Sequence, residues 1–166
     1  SLVLVATHDK VYIFDCLALG DAKVCDFLRP FLANDLVRPI YHGVHKDFLF
    51  SSLGEIMQTD TFDTQLAMEM MSGEVNATFE RVLRHFKPSL LNGKCDMPLQ
   101  WMGEEDDERF AHRPLSKNLC SLLADKARDL FHVCKSIVSA MDDDRIAAIR
   151  RASDVRALTP QLVSGA

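Results

Sequence analysis

Short apolar runs and polar breaks alternate over the first part of the chain. Residues 2–6 and 11–14 are apolar, and the residues between them are polar. Two apolar runs joined by a polar turn are typical of a β-hairpin, and an unbroken apolar run indicates a strand covered on both faces. Apolar residues then recur at positions 24, 27, 28, 31 and 32. This spacing predicts a helix that begins at Asp21 and has one apolar side.

The stretch 38–67 contains two strand-like runs, each followed by a helical pattern. The runs cover residues 39–41 and 59–62, and the helical patterns begin at Lys46 and near Leu66. Strand, helix, strand and helix in so short a stretch indicate a βαβ-type unit. The sequence therefore predicts the α/β class. The methionines of the second helix recur at helical spacing and are interpreted as core residues.

Two aspartates stand at the N-terminal ends of these predicted helices. Asp47 follows the first strand and Asp63 follows the second. A carboxylate is favourable at a helix N-terminus, because it caps free backbone N–H groups and complements the helix dipole. A second interpretation is an acidic metal site, since hard divalent cations prefer carboxylate oxygens. The two aspartates alone leave both interpretations open.

The longest helical pattern begins after Ser116, a favourable N-cap residue, and carries one unexpected charge. Lys126 falls in the same arc as the apolar residues, one turn from Leu122 and one turn from Leu130. Burying an unpaired ammonium group is costly. Lys126 therefore either extends to solvent or ends in a cleft beside carboxylates. The apolar arc contains Leu119, Leu122, Leu123, Ala127, Leu130, Cys134, Ile137, Val138 and Met141.

Composition limits the class of protein. The chain has 166 residues, 48% of them hydrophobic, which is enough for one core, and its net charge is −5. An acidic balance argues against strong non-specific binding of nucleic acid, but it allows a local basic groove. Five cysteines without a C-x-x-C pair favour reduced thiols in an intracellular protein. No apolar run is long enough to span a bilayer, so no membrane contact is expected. Because the chain begins without Met inside an apolar run, we expect a fragment of a longer protein.

Four motifs in order resemble the DEDD-type 3′–5′ exonucleases of the RNase D branch. The motifs are VYIFDCLALG from Val11, H-x-x-x-x-D from His42, FDTQLA from Phe62 and RPLSKNLCSLLADKARDLFHV from Arg113. The resemblance covers nearly all of residues 1–141. It implies an RNase H-like fold in which helices flank a mixed central sheet, with residues 142–166 as a C-terminal helix and tail. It also places the first strand of the fold, with its Asp-x-Glu pair, before the start of this chain.

The resemblance implies a degenerate metal site. Such enzymes cleave phosphodiesters with two divalent metals held by four acids, and a tyrosine helps to orient the attacking water. Asp47 matches the third acid and Asp15 matches a turn residue that is not catalytic. Leu122 stands at the tyrosine position and Lys126 at the position of the last acid. A cation there repels a metal and can pair with Asp47, so the resemblance implies a pseudonuclease without a cofactor. A shift of one residue would offer Asp125 instead, but it projects about 100° away from Lys126.

Within the family, the lost acid and the RPLSKNL lead-in most resemble the exonuclease-domain proteins of the piRNA pathway. That resemblance implies a catalytically inactive RNA-binding adaptor in piRNA biogenesis and transposon silencing. It also implies a homodimer, a Tudor-domain protein as partner, an Lsm-like domain upstream and a location in cytoplasmic, perinuclear germ granules. The alternatives are an active metal-dependent 3′–5′ exoribonuclease using Mg²⁺ or Mn²⁺, an exuperantia-type mRNA-localisation factor, and a dimerisation module without RNA contact.

Four basic residues are candidates for a nucleic-acid surface, and the alternative interpretation is that most of them are ordinary solvated charges. The candidate residues are Lys46, Arg84, Lys87 and Lys94. The dimer interface is expected on exposed apolar residues of the last helical pattern, at positions 142–157. Trp101 is interpreted as an anchor of the loop between residues 89 and 110 rather than as a platform for a nucleobase.

Overall fold

A computed structural model describes residues 2–43, 60–90 and 112–158 of the chain. These residues form a mixed α/β structure that is mostly helical, with two separate two-stranded sheets. The prediction of a structure that combines helices and strands is thus confirmed. Within the three described ranges the two sheets are not joined into a larger central sheet. The predicted helix from Lys46 and the segment around Trp101 lie outside the described residues.

The hairpin, the helix from Asp21, the two strands of the central stretch and the long helix after Ser116 occur in the order that the sequence predicts. The elements are β1 Leu2–Ala6, β2 Val11–Asp15, α1 Cys16–Leu19, α2 Asp21–Leu32, β3 Ile40–Tyr41, β4 Phe62–Asp63, α3 Thr64–Ser72, α4 Phe79–Phe86, a 3₁₀ turn Pro88–Leu90, α5 Lys117–Ser139 and α6 Asp143–Leu158. Thr78 caps α4 and Ser116 caps α5, each through its side-chain oxygen. These hydroxyls each satisfy a backbone N–H that has no partner within its helix.

The predicted hairpin is confirmed. Strands β1 and β2 pair antiparallel, with Leu2 opposite Asp15 and Ala6 opposite Val11. Every residue of β1 is half-buried rather than buried. The sequence predicted that both faces of β1 are fully covered, and the described elements do not provide this cover. Among them, α1 and α5 contact the strand.

The second sheet joins the two strand runs of the central stretch. Strands β3 and β4 are parallel, with Ile40 opposite Phe62 and Tyr41 opposite Asp63. A parallel pair needs a crossover connection between its strands, which agrees with the predicted βαβ unit. The carboxyl ends of both strands meet at one edge, so His42 and Thr64 come together there.

The buried residues form two clusters. The larger one is built from β4, α3, α4, α5, α6 and the segment that joins α3 to α4. It contains Phe62, Ala67, Met68, Ala77, Val82, Leu83, Val133, Cys134, Ile137 and Ile149. The smaller one places Val24, Cys25 and Leu28 of α2 against Cys16 and the hairpin. Helix α5 contacts both the hairpin and the second sheet. It therefore connects the two halves of the described structure.

Some apolar residues predicted to be inward are exposed. Met68 is buried as predicted, but Met70 and Met71 are 50% and 39% exposed. The core-facing side of α3 is centred on Ala67 and Met68, and Met70 lies about 200° around the helix from Met68. On α2, Phe27 and Phe31 are each 53% exposed, because its buried side is centred on Val24 and Leu28.

The described cysteines are free thiols, as the odd count predicts. Cys16, Cys25 and Cys134 are buried, and Cys120 is half-buried. Burial raises the pKa of the Cys134 thiol to about 11, and Arg150 nearby opposes this rise. Cys134 therefore stays protonated and acts as a small core residue, consistent with the interpretation from sequence.

Helix α6 docks on the second sheet through polar side chains. Ser153 Oγ accepts a hydrogen bond from Asp63 N, and Asp154 accepts from the backbone N–H groups of Asp60 and Thr61. Arg150 forms an ion pair with Asp60. We call this group of contacts the α6 clasp. Together with buried Ile149, these contacts make α6 part of the larger core. Val155 is an exposed large apolar residue on this helix, where the dimer interface is expected.

No helix in the described ranges is both long enough and apolar enough to cross a membrane.

A second link joins distant parts of the chain. Asp15 caps α1 by accepting from Leu17 N and Ala18 N, and its carboxylate also pairs with both Nε and Nη2 of Arg113. The Arg113 hydrogen bond is the main reason why the pKa of Asp15 is lowered to about 2. The start of α5 is thereby fixed to the end of β2.

This pair predicts a specific acid sensitivity. The carboxylate of Asp15 stabilises the fold above about pH 4, and the contribution is lost as the pH falls towards 2, because its folded pKa lies below its ordinary value. In Arg113→Gln, the free energy of unfolding should decrease less between about pH 4 and pH 2 than it does in the wild type. Urea unfolding at a series of pH values measures this. Arg128→Gln, at an exposed arginine, is the control, and an unchanged acid limb in Arg113→Gln would contradict the prediction.

Candidate functional site

The edge where β3 and β4 end brings together the polar residues of two predicted motifs. His42 Nδ1 lies 3.1 Å from Thr64 Oγ1, and that hydroxyl donates to Tyr41 O at 2.9 Å. Gly43 has a left-handed φ of 71° and lies against the side chain of Gln65. A Cβ at this position would lie 3.0 Å from Gln65 Oε1, so the H-x-x-x-x-D motif begins at a turn that requires glycine.

Asp63 is completely buried at this edge, and both of its oxygens are engaged. Its Oδ1 accepts hydrogen bonds from the backbone N–H groups of Gly43, Gln65 and Leu66 at 3.0, 2.8 and 3.4 Å. Its Oδ2 lies 3.3 Å from Arg156 Nη1. Asp63 is therefore the N-cap of α3, which confirms the capping interpretation for this residue. Asp47, the other aspartate of that pair, lies outside the described residues.

Lys126 faces the interior side of α5, as the helical wheel predicts. It is half-buried, and the buried residues Leu123 and Val133 lie on the same side of the helix. Burial lowers the pKa of Lys126, and the attraction of Glu80 on α4 opposes this effect. Leu122 lies one turn earlier and is also half-buried. Leu122 thus places an apolar group where the resemblance assigns the tyrosine. Lys126 places a partly desolvated cation where the resemblance assigns the last acid.

Asp125 lies on the solvent side of α5. Its side chain is 46% exposed and lies 3.4 Å from Arg128 Nη1. An exposed ion pair of this kind contributes about 0–1 kcal/mol. The geometry therefore places Asp125 away from the face that Lys126 occupies.

The sequence reasoning missed a second charged residue on this helix. Asp129 is only 6% exposed, and it lies one turn before the fully buried Val133. The predicted apolar arc omitted both residues. Val133 supplied the signal, because it stands at helical spacing from both Leu130 and Ile137.

The candidate RNA-contacting cations are not all equally available. Arg84 pairs with Glu80 through its Nε at 3.0 Å and also through Nη2. The carboxylate of Glu80 therefore interacts with Arg84 through an ion pair and attracts the charge of Lys126. Lys87 ends α4 and lies at a surface depression. Lys46 and Lys94 lie outside the described residues.

The depression beside Lys87 is formed by the C-terminal ends of two helices. It has a volume of about 460 Å³, and it is lined by Lys87, His132, Lys135, Ser136, Ser139 and Ala140. None of these lining residues is acidic. His132 and Lys135 were not singled out from the sequence. They stand three positions apart on α5, and only the packing of α4 against α5 brings Lys87 to them.

Among the described residues, no three histidine, cysteine or acidic side chains cluster in a way that could hold a metal ion. No model of a known protein family matches the chain, and no curated protein is significantly similar to it.

Proposed function

We propose that this chain is a catalytically inactive 3′–5′ exonuclease-like domain of the DEDD type that serves as an RNA-binding adaptor. The proposal includes an RNase H-like fold, of which β1, β2, β3 and β4 would be strands of one mixed sheet. It is supported by the order of the four motifs and by the mixed α/β class of the described residues.

The observation that carries the proposal is the position of Lys126. An RNase D-like site needs a carboxylate at this point of the last helix to hold a divalent metal. The ammonium group that stands here instead is half-buried on the interior side of α5. A cation repels Mg²⁺, and Leu122 one turn earlier offers no hydroxyl to orient water. The described residues at these positions therefore do not fit a metal, and we derive no cleavage step from them.

The active-exonuclease alternative requires an acid in place of Lys126. Asp125 would have to turn inward, yet it pairs with Arg128 at the surface. This geometry favours the inactive adaptor over the active enzyme.

The biological setting of the proposal rests on the resemblance alone. It comprises piRNA biogenesis, a homodimer, a Tudor-domain partner and cytoplasmic germ granules. The exuperantia-type messenger-RNA localisation factor shares the inactive site and differs in this setting. Sedimentation of the purified chain at several concentrations tests the homodimer.

Replacing Lys126 by methionine should leave the stability of the protein unchanged or raise it by up to about 1 kcal/mol. The physical reason is that burial disfavours the charged form of Lys126, whereas methionine fills a similar volume without a charge. Urea unfolding at neutral pH measures this change, with Lys117→Met at an exposed position as the control. A loss of more than about 2 kcal/mol would instead mean that the attraction between Lys126 and Glu80 stabilises the fold.

Metal titration tests the proposal most simply. We expect no Mn²⁺ uptake by the wild-type protein and measurable uptake by Lys126→Asp, in a chain that includes the strand that the resemblance places before Leu2. Isothermal titration calorimetry with Mn²⁺ gives both results. Stoichiometric uptake by the wild type would overturn the proposal.

A further inference from the structure

The depression at the ends of α4 and α5 holds an excess of positive charge. Lys87 comes from α4, and His132 and Lys135 come from the last turns of α5. The net charge of the whole chain is −5, so a concavity whose described lining residues are basic, polar or apolar and include no acid differs from the average of the chain.

Helix dipoles alone do not account for these cations. Each helix C-terminus carries a partial charge of about −0.5, so the two helix ends together supply about −1. The two lysines of the lining supply +2. The two lysines of the lining therefore outweigh the partial charges of the two helix ends.

The polar groups of the lining determine which anions fit. The hydroxyls of Ser136 and Ser139 donate to the carbonyl oxygens of His132 and Lys135 at 3.1 and 2.8 Å. They leave the lysines and His132 as the donors that face an anion. Charged donors in an open depression contact phosphate groups and supply little recognition of base edges. The described lining residues include one aromatic ring, so stacking of bases contributes little.

We infer that this depression binds the phosphodiester backbone of single-stranded RNA through Lys87, His132 and Lys135, an inference that rests on the proposed RNA-binding function. The contact is sequence-independent and lies apart from the face of α5 that carries Leu122 and Lys126. Positive groups that bind phosphates release counterions, which gives binding a characteristic dependence on salt.

The test measures fluorescence anisotropy of a 5′-labelled 16-mer of oligouridine at several NaCl concentrations. For Lys87→Glu/Lys135→Glu we expect roughly tenfold weaker binding at low salt. The slope of log affinity against log salt should become shallower by about 1.4, since each phosphate contact contributes about 0.7 on a single strand. The control variant is Lys23→Glu/Lys117→Glu, which makes the same charge change at an exposed lysine on α2 and at one at the start of α5. It should retain most of the wild-type affinity.

The neutral variant Lys87→Gln/Lys135→Gln guards against a loss of folding, because glutamate at a helix C-terminus costs about 0.3–1 kcal/mol. Its slope of log affinity against log salt should become shallower by the same amount, and its circular-dichroism spectrum should remain that of the wild type. Wild-type binding with an unchanged slope in both Lys87/Lys135 variants would overturn the inference and leave the adaptor function standing. An equal loss of RNA affinity in the control variant would also overturn the inference, because it would show that binding depends on the net charge of the protein rather than on this depression. Absence of wild-type binding at low salt would overturn the inference and the RNA-binding function together.

Discussion

Asp63→Ala is expected to lower the free energy of unfolding by about 3 kcal/mol. The carboxylate is completely buried, and it accepts three backbone hydrogen bonds and pairs with Arg156. Loss of the cap contributes about 1 kcal/mol, and the remainder comes from leaving Arg156 without this partner. The loss stays moderate because Arg156 also pairs with Glu69. Urea unfolding at neutral pH measures the difference.

Two further substitutions make this prediction specific. Asp63→Asn keeps an oxygen for the backbone donors but removes the charge, so it should cost less than Asp63→Ala, at about 1–2 kcal/mol. Asp125→Ala removes an exposed acid with a surface ion pair and should change stability by at most about 1 kcal/mol. Equal effects of Asp63→Ala and Asp125→Ala would contradict the buried position of Asp63.

Ile149→Ala is the second substitution with a large expected effect. Ile149 lies on α6, is 1% exposed, and belongs to the cluster that contains Met68, Leu83 and Val133. Truncating a fully buried isoleucine to alanine typically costs about 2–5 kcal/mol, because it removes apolar contacts and leaves a cavity. We expect a loss in this range in urea unfolding, with a single transition.

The matched control is on the same helix. Val155 is 66% exposed, and Val155→Ala should change stability by at most about 0.5 kcal/mol. A small effect of Ile149→Ala, close to that of Val155→Ala, would mean that α6 is not packed into the core in solution.

Local patterns predicted the elements of this fold well. Apolar spacing and the N-cap residue Ser116 mark α5 because both signals act within one or two helical turns. The inward position of Lys126 followed from the same wheel. The cap formed by Asp63 was one of two open interpretations, and the structure selected it because both oxygens are engaged.

Features that depend on contacts between distant segments could not be predicted in this way. The α6 clasp joins Ser153 and Asp154 to residues about ninety positions earlier. Nothing in the local pattern of either segment specifies that pairing. In the same way, Lys87 meets His132 and Lys135 only because α4 packs on α5. Which side of α2 is buried also depends on where the hairpin lies, and this is why Phe27 and Phe31 were wrongly assigned to the core.

The decisive measurement is incubation of single-stranded RNA, labelled at its 5′ end, with the protein and Mn²⁺. The chain includes the strand that the resemblance places before Leu2, and Lys126→Asp is run beside it. We expect the wild-type protein to bind the RNA and leave its length unchanged, because a half-buried ammonium group replaces a metal-binding carboxylate. Stepwise shortening of the RNA from its 3′ end by the wild type, lost in Asp47→Ala, would contradict this and identify an enzyme.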